Sequence, residues 1–297
     1  YQQVKDVSAR HSIPYNFHAR INTGFSHEVH KLNDDLIIKL FNTRNPVNFN
    51  TELELLKSDL DFPRPKMIAS YRGTSIQDRS YIIMSFVFGS SLGSKWHEAT
   101  DEQKESLIYN ISQILTTINC FDPNIINNIS DDWQIIVEKR ITKLTNKLLA
   151  NKIISNEQAA KTLLTITNNK KYLADSKLCS VYWDIHFDNF IVNERFELQA
   201  IIDLETVMAA SIDYPLFVIE KMSAQPEKYL SESDEVHANS KDYARLKEWY
   251  KKYYPEMFAF DNLEQRIKIY QLIDTLHLLV DWSSDKELFR KLDELTA

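Results

Sequence analysis

Three oxygen-bearing side chains mark the part of the chain whose residue types could do chemistry. Asp184 and Asn189 lie five residues apart in a polar loop, and Asp203 ends the next strand-like segment. Carboxylate and amide oxygens suit Mg²⁺, which keeps its other positions for phosphate and water. In phosphoryl transfer, one aspartate positions a hydroxyl while an asparagine and a second aspartate hold the metal. The spacing therefore indicates metal-assisted phosphoryl transfer, and ordinary solvated loops are the plainer alternative.

A lysine inside an apolar strand is the second chemical signal. Lys39 lies in LIIKLF, residues 36–41, where an unpaired buried ammonium would be costly. In kinases, a strand lysine of this kind holds nucleotide phosphates and pairs with a helix glutamate. We expect Lys39 to pair with Glu52, or less favourably with Glu54, in the helical segment 49–60. The alternative is an exposed lysine on an edge strand.

The elements that must position these residues divide the chain in two. Strand-like segments and one helix fill the first third, and helical periodicity begins at Thr100, which forms a predicted capping box with Gln103. The pattern predicts an α+β fold, with an N-terminal antiparallel sheet lobe over residues 1–89 and a larger, mostly helical lobe over 90–297. The predicted strands are 19–25, 26–32, 36–41, 67–71 and 81–88, with short β segments between 178 and 203; the later predicted helices are 133–149, 156–167, 227–254 and 263–279.

The polar loop also resembles a known family motif. Tyr182-Trp183-Asp184-Ile185-His186-Phe187-Asp188-Asn189 is similar to the His-Gly-Asp-x-His-x-x-Asn loop of the aminoglycoside phosphotransferase and choline kinase-like superfamily, and Ile202-Asp203-Leu204 resembles its metal motif. The resemblance implies a bilobal, protein kinase-like fold. It also implies that Asp184 is the catalytic base, that Asn189 and Asp203 bind Mg²⁺, and that His186 and Asp213 give structural support, with Asp213 bracing the catalytic loop.

The sequence departs from this motif at Tyr182 and Trp183, which stand where the family more often has His and Gly. A tyrosine hydroxyl can replace one hydrogen bond of an imidazole but not both. The geometry of the loop, and with it the rate of transfer, therefore stays open at this point.

Two N-terminal segments resemble the family's nucleotide site. Residues 22–32 are similar to the hairpin over the phosphates, which implies contacts from Gly24 and Ser26. Residues 81–89 are similar to the strand and hinge that bind the purine, with Met84 behind the base and the hinge at Ser85, Phe86 and Val87. The implied cosubstrate is ATP or GTP with Mg²⁺. An ordinary hairpin and a plain core strand remain open for these segments.

Composition narrows the classes of partner. With 35 Lys and Arg against 42 Asp and Glu, the net charge of −7 gives no global attraction to nucleic acid or anionic lipid. Two cysteines cannot build a disulfide framework, and no apolar run of membrane-spanning length occurs, so we expect a cytoplasmic protein. Monomer and homodimer both stay open as its oligomeric state. We expect the protein to bind neither a membrane nor nucleic acid.

The expected acceptor is a small cationic molecule, such as an aminoglycoside or another amino-alcohol. This expectation depends on the acidic balance and on acidic residues near the expected acceptor side: Asp213, Glu220, Glu232, Asp234 and Glu235. Two alternatives to the kinase stay open. One is a kinase-like nucleotide-binding protein with weak catalysis, and the other is a metal-dependent phosphoesterase built on Asp184 and His186.

Overall fold

The structure is a computed structural model and describes residues 2–21, 27–42, 46–73, 78–126, 131–230 and 234–297. The N-terminal part carries α1 (Gln2–Arg10), β1 (His18–Ile21), β2 (Glu28–Leu32), β3 (Leu36–Leu40), α2 (Pro46–Lys57), β4 (Met67–Tyr71) and β5 (Tyr81–Ser85). The C-terminal part carries β6 (Ser90–Ser91), α3 (Leu92–Lys95), α4 (Asp101–Asn119), α5 (Pro123–Ile126), α6 (Trp133–Ala150), α7 (Asn156–Asn169), β7 (Leu178–Tyr182), β8 (Phe190–Val192), β9 (Leu198–Ile201), β10 (Val207–Ser211), α8 (Leu216–Ala224), α9 (Leu246–Tyr253), α10 (Leu263–Asp281) and α11 (Lys286–Leu295).

The N-terminal strands form one antiparallel sheet in the order β1-β2-β3-β5-β4, so Lys39 stands on the central strand. Side chains alternate between the two faces of a strand. On one face, Ile38 and Leu40 of β3 pack with Val4 and Val7 of α1. On the other, Ile37 packs against the core of the C-terminal part. The alternation therefore puts Lys39 on the inner face of the sheet.

The helical part is built around amphipathic helices, and α4 shows why they form. Thr100 and Gln103 make the predicted capping box, and the predicted apolar stripe of α4 is buried, with Leu107 and Ile111 at its centre. Helix α2, which carries Glu52, buries Leu55 in the same core. The helix that must meet Lys39 is therefore fixed by packing against the C-terminal part.

The chain passes from the sheet to the C-terminal part at a glycine. Gly89 has a φ of 145°, and a Cβ there would lie 2.4 Å from the carbonyl oxygen of Val192. Strand β6 follows at once and pairs with β8, which lies directly after Asn189. The change of sheet falls beside the expected division between residues 1–89 and 90–297, which itself stays a prediction.

The predicted fold class, an antiparallel sheet followed by a mostly helical region, is confirmed. Sequence periodicity missed α1, β10, α8 and α11. The predicted helical region 227–254 was wrong over most of its length, because short 3₁₀ turns at Pro226–Tyr229, Glu235–His237 and Ser240–Tyr243 precede α9. Inside the region, Asn239 caps the third turn by accepting from the amide of Lys241, a local bond that favours a turn over a continuous helix.

Within the described ranges, no helix combines the length and the apolar character needed to cross a lipid bilayer.

One ion pair fastens β2 to the end of β3. The guanidinium of Arg79 donates to Glu28 Oε2 at 2.8 Å and also to the carbonyl oxygens of Leu40 and Phe41. His30 Nε2 lies 2.8 Å from the other carboxylate oxygen. Burial favours the neutral form of Glu28, but Arg79 and His30 outweigh it and lower its pKa to about 2.

Because this pKa is lower in the folded than in the unfolded chain, the carboxylate stabilises the fold above about pH 4.5 and loses that effect as the pH falls towards 2. We predict that Glu28→Gln lowers the free energy of unfolding at pH 6 by about 2 kcal/mol, allowing for partial exposure of the side chain. The variant should also lose this part of the acid dependence in urea titrations between pH 2 and pH 6. Glu194→Gln, in an exposed turn, is the control; identical pH profiles for the two variants would contradict the prediction.

Candidate active site

The ammonium of Lys39 is the centre of the site. Its Nζ donates to Glu52 Oε2 at 2.7 Å and to Asp203 Oδ1 at 2.8 Å, and lies 3.1 Å from Glu205 Oε2. The expected contact of Lys39 with Glu52 is thus present, whereas Glu54 lies near Lys57 on the outside of α2. The third carboxylate, Glu205, was not anticipated.

The charges in this cluster do not balance. Burial lowers the pKa of Lys39, but its attraction to Asp203, Glu52 and Glu205 is stronger and holds the pKa well above its usual value. Burial raises the pKa of Glu52 to about 7 against the opposing pull of Lys39. Burial also acts to raise the pKa of Asp203, but Lys39 outweighs it, and the net direction is down. A charged lysine thus faces more carboxylates than it can neutralise.

A divalent cation would relieve this surplus of negative charge. The side chain of Asp203 is 45% exposed, whereas those of Glu52 and Glu205 are 3% and 6% exposed. Asp203 is therefore the carboxylate of the cluster that is open to an incoming ligand. It follows β9 in the left-handed conformation, with φ 55° and ψ 46°, which aspartate tolerates better than most residues. The oxygen donors fit the preference of Mg²⁺.

The loop after β7 brings Asp184, His186 and Asn189 together. Asn189 Nδ2 donates to the carbonyl oxygen of Asp184 at 2.9 Å and lies 3.2 Å from His186 Nε2. This leaves Asn189 Oδ1 as the amide atom able to bind a metal. His186 Nε2 lies 3.5 Å from Asp184 Oδ2; burial lowers the pKa of His186, but the Asp184 carboxylate outweighs it and raises the pKa. His186 therefore lies against Asp184 and Asn189, and its predicted role as a support of the loop stays a prediction.

Tyr182 connects this loop to the turn of Asp203. Its hydroxyl donates to the carbonyl oxygen of Ile202 at 2.9 Å, and the amide of Ile202 donates to the carbonyl oxygen of Asn189 at 2.9 Å. Burial holds the pKa of Tyr182 well above its ordinary value, so the hydroxyl keeps its proton. The residue that departs from the family motif thus makes a direct bond next to Asp203.

The inner face of the sheet and the end of β5 offer an apolar surface beside Lys39. Met84 is buried and pairs with Ile37 across the sheet, and Val29 pairs with Lys39. Strand β5 ends at Ser85, so the predicted strand 81–88 was too long. The backbone amide of Ser85 donates to the carbonyl oxygen of Lys66, and the backbone amide of Phe86 donates to the carbonyl oxygen of Asp35. Phe86 and Val87 then lead to Gly89, and the predicted role of the segment as a purine hinge stays a prediction.

Comparison with known proteins places this arrangement in a family. The model of the phosphotransferase enzyme family matches residues 18–249. The chain belongs to this family. No match was found among curated protein sequences.

Solved structures share the fold of this phosphotransferase-family chain. The gentamicin complex of APH(2")-IIa has a TM-score of 0.71 at 14% identity, covering 99% of this chain and 95% of the other. ADP-bound APH(2")-Ib has a TM-score of 0.68 at 15% identity, covering 99% and 96%. The GDP complex of aminoglycoside 2'-phosphotransferase-IIIa has a TM-score of 0.67 at 13% identity, also covering 99% and 96%. Identities this low establish the fold alone.

Two of the residues predicted from the family resemblance, Gly24 and Ser26, lie outside the described residues. Asp213 is fully buried, and among the described residues its carboxylate accepts hydrogen bonds from Ser211, Arg266 and Tyr270. These partners belong to β10 and α10. Its predicted bracing of the catalytic loop stays a prediction.

The acceptor side is less acidic than the sequence suggested. Asp213 is buried and paired with Arg266, and Glu220 lies 2.6 Å from Lys247, so each of these carboxylates already faces a cation of the chain. Glu232 lies outside the described residues, and Asp234 and Glu235 lie at or near the surface. Beside Asp184, the ring of Trp183 stacks on Phe217 of α8 with 6.3 Å between the ring centroids. An aromatic wall therefore adjoins the candidate catalytic base.

Sequence reasoning also missed His27. Its Nε2 lies 2.6 Å from Glu205 Oε2. The adjacent His27-Glu28-Val29-His30 pattern was considered only as a zinc motif and was discounted. A carboxylate two residues after Asp203 was a visible signal, but nothing in the sequence indicates that a histidine from the start of β2 meets it.

Removing the Tyr182 hydroxyl tests the connection between the end of β7 and the turn that carries Asp203. We predict that Tyr182→Phe costs about 1–2 kcal/mol of unfolding free energy, because the buried carbonyl oxygen of Ile202 loses its donor. Because this turn carries Asp203, the candidate Mg²⁺ ligand, any Mg²⁺-dependent nucleotide binding should also need a higher Mg²⁺ concentration in the variant. The control is Tyr109→Phe, which removes a half-exposed hydroxyl on α4. Unchanged stability and Mg²⁺ requirement in Tyr182→Phe would show that the bond is dispensable.

The Arg266–Asp213 pair should be a major support of the C-terminal core. Arg266 Nε lies 2.6 Å from Asp213 Oδ2, and both side chains are buried. We predict that Arg266→Met lowers the free energy of unfolding by about 3–5 kcal/mol, because it leaves a buried carboxylate without its cation. Lys161→Met breaks an exposed ion pair with Glu157 and should cost about 0.5 kcal/mol or less. Similar losses for both variants in urea unfolding would refute this assignment.

Proposed function

We propose that the protein is a small-molecule kinase that transfers the γ-phosphoryl group of ATP or GTP to a hydroxyl group. The observation that carries this proposal is the ammonium of Lys39, held between Glu52 and Asp203 on the inner face of the sheet. Family membership supports the same class of reaction.

Each residue of the site has a distinct task in this proposal. Lys39 binds the phosphates of the nucleotide, and Asn189 Oδ1 and Asp203 would hold Mg²⁺, which neutralises phosphate charge when bound. Asp184 orients the acceptor hydroxyl and takes its proton. A new bond forms between the acceptor oxygen and the γ-phosphorus, the bridging bond to the β-phosphate breaks, and ADP or GDP leaves. Alignment and charge neutralisation supply most of the rate, since the transition state is loose.

The acceptor we propose is a cationic amino-alcohol, with aminoglycosides as the first class to test. Structures with the same fold include complexes with gentamicin, with kanamycin and GDP, and with streptomycin and ATP. In this chain, the side of the site next to Asp184 offers the Trp183 ring, which can contact a cation or the face of a sugar ring.

The alternatives have less support. A nucleotide-binding protein without turnover was suggested by Tyr182 and Trp183, but the Tyr182 hydroxyl still connects the catalytic loop to Ile202. The phosphoesterase reading needs His186 as a metal ligand, whereas His186 lies against Asp184 and Asn189.

Thermal-shift titration with ATP and GTP, each with and without Mg²⁺, tests the nucleotide site directly. A ligand that binds only the folded protein raises the melting temperature by mass action, by an amount set by its concentration relative to Kd. We expect a Mg²⁺-dependent rise for at least one nucleotide. Release of ADP or GDP in the presence of aminoglycosides and simple amino-alcohols then identifies the acceptor. No shift at millimolar nucleotide would refute the proposal.

The two aspartates should separate chemistry from binding. We predict that Asp184→Ala keeps Mg²⁺-nucleotide binding while transfer falls by about a hundredfold or more, as expected when a general base is removed. Asp203→Ala should weaken Mg²⁺-nucleotide binding itself. Asp175→Ala, at an exposed site elsewhere, is the control for both. Near-normal transfer by the Asp184 variant, or unchanged nucleotide affinity in the Asp203 variant, would overturn the corresponding role.

A further inference from the structure

A histidine from the sheet meets a carboxylate from the metal turn inside the site. His27 Nε2 lies 2.6 Å from Glu205 Oε2, and the two side chains are 4% and 6% exposed. His27 directly precedes β2, and Glu205 lies two residues after Asp203. The contact therefore joins the N-terminal sheet to the turn that carries the candidate metal ligand.

The other ring nitrogen fixes how His27 is oriented. The backbone amide of Asn42 donates to His27 Nδ1 at 3.0 Å, so Nδ1 acts as an acceptor and carries no proton. The ring proton is then on Nε2, which lies 2.6 Å from Glu205 Oε2. The two atoms do not meet in hydrogen-bond geometry, and neither has a hydrogen-bond partner among the described residues, so each is the nearest polar group available to the other. The ring of Phe41 packs 4.7 Å from the imidazole. The end of β3, two residues from Lys39, thus sets the direction of the imidazole.

Glu205 connects His27 to Lys39. The same oxygen, Glu205 Oε2, lies 3.1 Å from Lys39 Nζ, on the cluster that also contains Glu52. Asp203 is the exposed carboxylate of the cluster and the one expected to turn towards a metal ion. Among the described residues, Glu52 and Glu205 would then be the carboxylates left beside Lys39. Glu205 Oε2 has no hydrogen-bond partner among the described residues, and such a buried carboxylate oxygen is costly to keep in place. The position of Glu205 therefore depends on the two groups that lie close to it, the ammonium of Lys39 and the imidazole of His27.

We propose that His27 is a positioning residue for nucleotide binding. It holds Glu205 against Lys39, so that the ammonium stays directed at the phosphates after Asp203 has engaged the metal. The inference rests on the proposed function. It assigns His27 to nucleotide affinity and not to acceptor binding or proton transfer.

Three substitutions separate the two ring nitrogens. His27→Gln places an amide N–H near the position of Nε2 and keeps a donor for Glu205. His27→Asn places its amide oxygen near the position of Nδ1. The oxygen can still accept from the backbone amide of Asn42, but the shorter side chain does not reach Glu205. His27→Ala removes both contacts. A role limited to supporting the strand would be rescued by asparagine, whereas the proposed role is rescued by glutamine.

The measurement is the binding of N-methylanthraniloyl-ATP with Mg²⁺, followed by fluorescence and displaced by ATP and by GTP. We expect His27→Ala and His27→Asn to weaken binding about tenfold, the size of one polar contact with a charged group. His27→Gln should stay within about threefold of the wild type, an allowance of less than one such contact. If transfer to an acceptor is measurable, KM for the nucleotide should rise while KM for the acceptor stays unchanged.

A double-variant comparison adds a second criterion. If His27 acts through Glu205, then His27→Ala in a Glu205→Gln background should weaken nucleotide binding no further, because coupled residues are not additive. Melting temperatures without nucleotide identify any variant that fails to fold, and the Gln and Asn variants still carry the comparison if the Ala variant does.

The outcomes are distinct. Wild-type affinity in all three His27 variants, rescue by asparagine in place of glutamine, or additive effects with Glu205→Gln would overturn the inference while leaving the proposed function intact. Absence of nucleotide binding by the wild type would overturn the proposed function, and this inference with it.

Discussion

A charged lysine buried among carboxylates is the constraint on which the rest of the structure depends. Lys39 is 3% exposed, and a buried ammonium is tolerated only where its partners are held in place. Lys39 lies on β3, the central strand of the sheet, and its partner Glu52 lies on α2, which packs into the C-terminal core, so both are held by their surroundings. The contact of Lys39 with Asp203 also places the turn of Asp203 against the sheet. The two parts of the chain therefore meet through charge at the point where chemistry is proposed.

A chain of hydrogen bonds links the loop of Asp184 and Asn189 to the turn that carries Asp203. The Tyr182 hydroxyl binds the carbonyl oxygen of Ile202, the Ile202 amide binds the carbonyl oxygen of Asn189, and the Asn189 side chain binds the carbonyl oxygen of Asp184. Each bond uses a backbone carbonyl, so the candidate base and the candidate metal ligand are positioned by the backbone that carries them. The tyrosine that stands in place of the family's usual histidine supplies the first bond of this chain.

The features that could be predicted from the sequence are local ones and those with helical periodicity. The capping box at Thr100 and the stripe of α4 follow from helical spacing, and Lys39 was assigned a partner because an unpaired ammonium cannot be buried in a strand. Contacts made only by the folded chain could not be predicted in this way. Arg266 meets Asp213 across 53 residues, and no periodicity encodes that pairing. Helix α8 was missed because Leu216 to Ile219 are all buried, so the segment lacks an amphipathic stripe.

The same distinction governs what can be said of the acceptor. A net charge of −7 describes the whole chain, but the charge that a ligand meets is what remains unpaired after folding. Asp213 and Glu220 are already matched by Arg266 and Lys247, so counting acidic residues in the sequence overstated the pull on a cation. If the acceptor binds next to Asp184, as proposed, fewer charged groups are available to it, and the Trp183 ring stacked on Phe217 is one surface that it can contact. Because a ring face attracts both cations and apolar C–H surfaces, selectivity would come from the shape of the acceptor as much as from its charge.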